Sequence, residues 1–292
     1  MSTDARSRPA DVAAVLVEAL PYIRRFAGAI VVVKFGGAAL AGTSDPGLAL
    51  GSFAEDVVLL RSVGLAPVVV HGGGPQIAEL LGRLGIASEF RDGLRVTDAE
   101  TLEIARMVLV GKVNSEIVSA INVHGPLAVG LSGFDANLLR AGVRDEGLGF
   151  VGDVHAVDPT LIHGVLAQGL IPVVATMGSD AGGQAYNINA DTVAGALAAA
   201  LDAAKLVVLT DVDGIRANPA DPETTIPRLS ADELEAMLAS GAASGGMAPK
   251  AAACVAAVRA GVGAAHLLDG RVAHAVLLEL FTDSGVGTMV TL

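Results

Sequence analysis

Residues 31–40 read VVVKFGGAAL and residues 68–77 read VVVHGGGPQI. Each is a β-branched apolar run, then one polar residue, then glycines. A run apolar on both faces suits a strand inside a parallel sheet, where helices cover both sides. Pro75 fits the first position of a helix, and the glycines before it leave that helix N-terminus open to an anion. Both stretches therefore predict strand–loop–helix units whose loops lie at the carboxyl ends of strands, where open α/β sheets bind ligands.

The same alternation runs outward along the chain. Strands are expected at 30–35, 66–71, 127–130, 171–175, 205–210 and 264–268, and helices at 48–63, 76–84, 98–123, 191–203, 231–239 and 250–260. Such spacing means βαβ units, hence an α/β, three-layer αβα sandwich around an open, mainly parallel sheet. Two lobes sharing that sheet are expected, divided near residues 175–190. Residues 10–27 form an amphipathic helical pattern that Pro21 should bend or end. An added helix of that kind needs a surface to cover, and an oligomer partner is one candidate. Residues 132–158 read as a hairpin, and 214–230, with Pro219, Pro222 and Pro227, as an ordered loop.

The chain has 292 residues, with 19 Lys plus Arg against 31 Asp plus Glu, a formal charge of −12. No basic stripe is visible, so a nucleic-acid binder is excluded. Mean hydropathy is +0.58. Yet the longest uncharged stretch, 159–179, contains Pro159, Gly164, Gly169 and Pro172 and cannot form an apolar spanning helix. No apolar segment follows the charged N-terminus, so no secretory signal is expected. Cys254 is the single cysteine. It reads as a small buried apolar residue in a protein of the reducing cytoplasm.

Lys34 ends an apolar strand, where burying it without an anion is costly. With Gly36 and Gly37 behind it, the pattern describes a phosphate site; a lysine snorkelling from a strand end is the plain alternative. His71 is either a general base or a strand-end residue making a structural hydrogen bond, and the second is preferred. Asn189 suits a helix N-cap and Asp191 the first turn, while no second carboxylate supports a metal site at Asp191. Lys250 in Gly245-Gly246-Met247-Ala248-Pro249-Lys250 opposes a helix dipole by roughly 0.3–1 kcal/mol, which suggests an external anion, a solvated surface lysine being the plain alternative. Arg95, before another helix start, is placed to grip a carboxylate with two parallel hydrogen bonds.

Taken in order, VVVKFGGAAL, VVVHGGGPQI, DGLRVTD, NINADT, TDVDG and GGMAPK resemble the amino acid kinase family over nearly the whole chain. The resemblance implies ATP-dependent phosphorylation of the γ-carboxylate of N-acetyl-L-glutamate, the second step of arginine biosynthesis, with Mg²⁺ arriving with ATP. It implies that Lys34 and Lys250 hold the transferring phosphoryl and that Asp191 organises both. Gly72, Gly73, Arg95 and Asn187 would bind the acceptor. Gly36, Gly37, Thr210, Asp211, Asp213, Gly214 and Met247 would lie at phosphate or nucleotide. Residues 1–28 would be an oligomerisation helix, 29–180 the acetylglutamate lobe and 181–292 the ATP lobe.

The early helix and the terminal ELFTDSGVGTMV resemble the arginine-sensitive, hexameric branch. L-arginine would then be a feedback inhibitor held near Tyr22, Lys205 and Glu279, in a homo-oligomer that is a trimer of dimers or a dimer. Phe134 departs from the polar residue relatives often have there, and the hairpin through Phe150 looks short. Rival readings are a carrier-linked aminoadipate or glutamate kinase of lysine biosynthesis, and a non-catalytic arginine sensor. A dinucleotide oxidoreductase is disfavoured, because no GxGxxG follows the first strand.

Overall fold

Every side chain of residues 31–35 is buried, and alternate ones enter two different cores. Val31, Val33 and Phe35 pack with Phe53, Val57 and Ile117, while Val32 packs with Val193, Leu197 and Val258 on the opposite face. This two-sided burial is what makes the molecule three layers thick. The computed structural model describes residues 4–36, 46–91, 93–218, 220–282 and 285–292.

The strands are β1 (Ile30–Phe35), β2 (Ala66–His71), β3 (Phe90–Arg91), β4 (Leu94–Arg95), β5 (Ala128–Ser132), β6 (Leu139–Val143) and β7 (Val151–Val157). After them come β8 (Ile171–Ala175), β9 (Met177–Ser179), β10 (Ala185–Ile188), β11 (Lys205–Thr210), β12 (Arg228–Ser230), β13 (Ala264–Asp269) and β14 (Thr288–Thr291). The helices are α1 (Asp4–Phe26), α2 (Pro46–Ser62), α3 (Gly74–Leu84), α4 (Ala99–Arg106) and α5 (Asn114–Asn122). They continue as α6 (Thr160–Ala167), α7 (Ala190–Ala200), α8 (Ala231–Ala239), α9 (Ala248–Arg259) and α10 (Ala275–Phe281).

The main sheet has eight strands in the order β12-β14-β13-β11-β1-β2-β8-β5. It is parallel except where β14 runs antiparallel to β13. Residues up to 175 supply β5, β8, β2 and β1, residues from 205 onward supply β11, β13, β14 and β12, and the sheet is continuous across them. Among the described residues no helix is long and apolar enough to cross a membrane.

Three expectations change. Helix α1 runs through Pro21 without a break. The ring removes only the bond to the Val17 carbonyl, and both residues lie on the exposed side, where water can serve that oxygen. The helix expected over 98–123 contains a π-helical segment, Met107–Val113, between α4 and α5. The loop expected over 214–230 ends in the short edge strand β12. The 132–158 hairpin is present as antiparallel β6 and β7, and β9 and β10 close it into a small four-stranded barrel. Phe134 packs on the main core under the Arg106 guanidinium, 5.1 Å from its ring centre. The loop before Phe150 is stitched to Thr97 by Thr97 N–H to Leu148 O and Phe150 N–H to Thr97 O.

Leu197 is fully buried where α7 presses on the sheet. Leu197→Ala is expected to lose about 2–5 kcal/mol through transfer and cavity terms, seen as a lower urea midpoint at unchanged slope.

Candidate active site

The loops after β1 and β2, the β3–β4 hairpin and the starts of α7 and α9 converge on one cavity of about 210 Å³. Lys34, Gly36, Gly72, Gly73, Arg95, Asn187, Asp191 and Lys250 all line it. Gly37 lies outside the described residues.

At its floor Lys34 Nζ sits 2.8 Å from Asp191 Oδ1, both side chains being less than a tenth exposed. Asp191 Oδ1 accepts no aligned hydrogen bond, so the ammonium is its compensation. Asp191 is held there because Asn189 caps α7, its Oδ1 accepting from Asp191 N–H at 2.8 Å and Thr192 N–H at 3.2 Å. A Cβ on Gly36 would stand 2.9 Å from Lys34 Nζ and would push the ammonium from its place. Cys254 is wholly buried nearby, and burial pushes its thiol well above the ordinary range. Lys250 does not touch Asp191; its Nζ donates to Gly246 O at 2.9 Å, within its own turn.

Arg95 is 7% exposed and has no carboxylate partner among the described residues. Its guanidinium donates to Ser88 Oγ and, at 2.9 Å, to Gly74 O, and stacks 4.6 Å from the Phe90 ring centre. Burial lowers its pKa, the signature of a cation kept from water without an anion. His71 is fully buried, with Nδ1 3.1 Å from Gly72 O and Nε2 3.0 Å from Asn114 Nδ2. Burial drops its pKa to about 4, so it is neutral and a structural hydrogen-bonding residue.

A second cavity, about 140 Å³, adjoins the turn into α9 and is lined by Gly214, Ile215, Arg216, Ser244 and Met247 among others. Asp211 and Asp213 lie in the same loop and Thr210 ends β11 just before it, all three off that lining. Asp213 instead ties the loop together, accepting from Arg216 Nη2 at 2.7 Å and Thr225 Oγ1 at 2.6 Å.

Lys205 and Glu279 meet outside this cleft, toward the other end of β1 and β11, through a residue the motifs did not flag, His266. Lys205 Nζ donates to His266 Nε2, and His266 Nδ1 donates to Glu279 Oε1, both at 2.7 Å. The signal available was a polar residue inside the apolar run AAHLLD, the same sign that marked Lys34. Burial lowers the Lys205 pKa to about 8. Burial pushes Glu279 up, but hydrogen bonds from His266 and Val286 N–H outweigh it and hold the carboxyl below its usual range. The Lys205 ammonium also lies 5.4 Å from the Phe26 ring centre of α1, which packs against α10. Tyr22, one turn earlier, packs partly buried on the same core.

The profile of the amino acid kinase family matches residues 29–269. The acetylglutamate kinase of Acidothermus cellulolyticus is 56% identical over 289 residues, covering 95% of this chain and 96% of that one. The acetylglutamate kinase of Symbiobacterium thermophilum is 53% identical over 289 residues, covering 96% and 97%. Among solved structures, the N-acetylglutamate synthase from Neisseria gonorrhoeae complexed with coenzyme A and N-acetyl-glutamate matches at TM-score 0.83 and 31% identity. That match covers 96% of this chain but 63% of the synthase, so the chain spans less than two thirds of it. Carbamate kinase from Giardia lamblia bound to AMP-PNP, at TM-score 0.65 and 17% identity over 91% and 99%, shares the fold.

Lys34→Met strands a buried carboxylate and is expected to cost on the order of 3–5 kcal/mol, most of which Asp191→Asn in the same chain restores, as urea unfolding will read. His71 has a pKa of about 4 when folded against 6.5 in the open chain, so the unfolded state binds more protons between those values. Its contribution is complete above that window and falls by about 3 kcal/mol as pH drops through it. Asp56, raised by burial to about 6, acts with the opposite sign below that pH. The test is therefore the difference in stability between wild type and His71→Asn, which should shrink on acidification.

Proposed function

The chain belongs to the amino acid kinase family, and on that footing we infer that it phosphorylates the γ-carboxylate of N-acetyl-L-glutamate with ATP, giving N-acetyl-L-glutamyl 5-phosphate in arginine biosynthesis. The observation that carries this reading is one cavity lined by two lysines, a buried arginine with no carboxylate partner among the described residues, and bare glycine loops. Such a set of donors suits two anions brought together.

A glutamate γ-carboxyl has an ordinary pKa of about 4.3 and is ionised at neutral pH, so no base is required. Its oxygen attacks the γ-phosphorus, the bond from phosphorus to the bridging oxygen breaks, and ADP leaves with that electron pair. No proton moves. What the step needs is alignment and relief of repulsion between anions. Lys34, fixed by Asp191, faces the phosphoryl from the floor. Lys250 faces it from the α9 turn, exchanging Gly246 O for a phosphate oxygen. Gly36 presents its backbone N–H to phosphate, a role the motif also assigns to Gly37, and Gly72 and Gly73 present theirs to the acceptor. Arg95 takes the α-carboxylate in a two-pronged bond, and Asn187 meets the acetylamino group.

The nucleotide lies toward Gly214 and Met247, with Thr210, Asp211 and Asp213 shaping that loop. Mg²⁺ enters with the ATP phosphates. Residues 29–180 then form the acetylglutamate lobe and 181–292 the ATP lobe, working in the cytoplasm.

Arginine inhibition belongs to the same proposal. Glu279 offers a carboxylate for a guanidinium, beside Lys205, His266 and Tyr22. On α1, Val15, Leu16, Val17 and Leu20 are 49–69% exposed. A second copy covering that face makes residues 1–28 an oligomerisation helix, in a dimer or a trimer of dimers.

ADP release with N-acetylglutamate, N-acetylaspartate or free glutamate is the deciding assay: the first should turn over best, and no acceptor-dependent ADP would sink the reading. Lys34→Ala and Lys250→Ala are each expected to lower kcat by more than about tenfold, and Arg95→Ala to raise KM for the acceptor far more than for ATP. Removing residues 1–27 should abolish both hexamers and arginine sensitivity, measured by light scattering and by inhibition curves.

A further inference from the structure

Asn114 is the first residue after the π segment, and its Nδ2 faces Val173 O at 2.8 Å, His71 Nε2 at 3.0 Å and Leu131 O at 3.4 Å. Two of these partners are backbone carbonyls, which only accept. The atom facing them is therefore the amide nitrogen and not its oxygen. That same nitrogen faces His71 Nε2, so Nε2 accepts and the ring proton sits on Nδ1. From there it is donated to Gly72 O, 3.1 Å away.

The consequence follows from peptide geometry. Gly72 C=O and Gly73 N–H belong to one trans peptide plane and point in opposite directions. Drawing the carbonyl back onto buried His71 turns Gly73 N–H away from it, and Gly72 and Gly73 both line the cavity. Gly73 is buried, and among the described residues its N–H makes no backbone hydrogen bond. A buried donor left open in a ligand cavity awaits an acceptor.

We propose that Asn114 and His71 are positioning residues that lock the Gly72–Gly73 peptide so that Gly73 N–H is aimed at the carboxylate of the phosphoryl acceptor. The proposal rests on the function inferred above. The surroundings are built around this lock. A Cβ on Gly73 would stand 2.8 Å from Leu109 and 3.2 Å from Val113, so the loop is seated directly on the π segment. A Cβ on Gly130 would run into Asn114 Oδ1, so that glycine makes room for the amide. The depressed pKa of His71 keeps the ring neutral, and its single tautomer intact, at neutral pH.

His71→Asn keeps an N–H at the place of Nδ1, because both reach it through Cβ and Cγ; His71→Leu removes it. With His71→Leu, KM for N-acetylglutamate is expected to rise about tenfold, the loss of one hydrogen bond, while KM for ATP stays within about twofold. His71→Asn should recover most of that loss, and Asn114→Leu should move the acceptor KM in the same direction. An unchanged acceptor KM in folded His71→Leu, an equal rise for ATP, or no rescue by asparagine overturns the proposal. Should His71→Leu fail to fold, the wild-type protein labelled with ¹⁵N-glycine carries the test. The Gly73 amide proton must then move downfield on adding N-acetylglutamate, and an unmoved signal overturns the proposal. Wild-type protein that releases no ADP with N-acetylglutamate overturns the functional reading and this proposal with it; normal turnover with an indifferent His71→Leu overturns the proposal alone.

Discussion

A buried ammonium 2.8 Å from a buried carboxylate is the constraint around which this molecule is arranged. Removing two such charges from water costs several kcal/mol per ion, and their attraction repays it only in good geometry. Lys34 stands near the end of β1 and Asp191 in the first turn of α7, so that turn must lie directly over the strand. The requirement explains the cap at Asn189, the bare backbone at Gly36 and the small side chains of α7, which let the helix lie close to the sheet. One carboxylate satisfies one direction of an ammonium with three donors. The remaining donors are what the cavity has to offer.

The cleft is cationic in a chain whose formal charge is −12. Net charge speaks to solubility; the local field is set by the few groups that face inward. Here these are Lys34, Lys250, Arg95 and glycine amides, with Asp191 committed to Lys34. The arrangement is economical for phosphoryl transfer to a carboxylate, because a reaction with no proton to move needs donors rather than an acid or a base. It also accounts for His71, which sits beside the cleft yet is buried, neutral and turned toward the backbone.

The Lys205 cluster lies at the other end of the same strands. Lys205 pairs with Val31 and Val208 with Lys34, so the two charged sites are three residues apart along β1 and β11, about 10 Å. Strands held on both sides are stiff. A ligand that altered how α1 seats on α10 would therefore press on the elements that carry Lys34, which gives the proposed arginine control a short physical route.

Local chemistry determined much of this protein before any coordinate was known. β1, β2, β8 and β11 were legible to the residue because apolar runs on both faces have few other uses, and Lys34 stood out as a polar residue inside such a run; His266, which carries the same sign, was passed over. The glycine loops marked the cleft because a backbone approaching a ligand cannot carry side chains. Tertiary structure alone decided the rest. Strands β9, β10, β12 and β14 are too short for periodicity to show, and exist only because a neighbouring edge offers them hydrogen bonds. The π segment has an ordinary helical sequence, and only the fold shows that it lies directly under Gly73. Which charges pair, Lys34 with Asp191 while Lys250 turns to its own loop, depends on distances between parts of the chain far apart in order. A sequence states which groups are costly to bury; only the fold states what they are buried against.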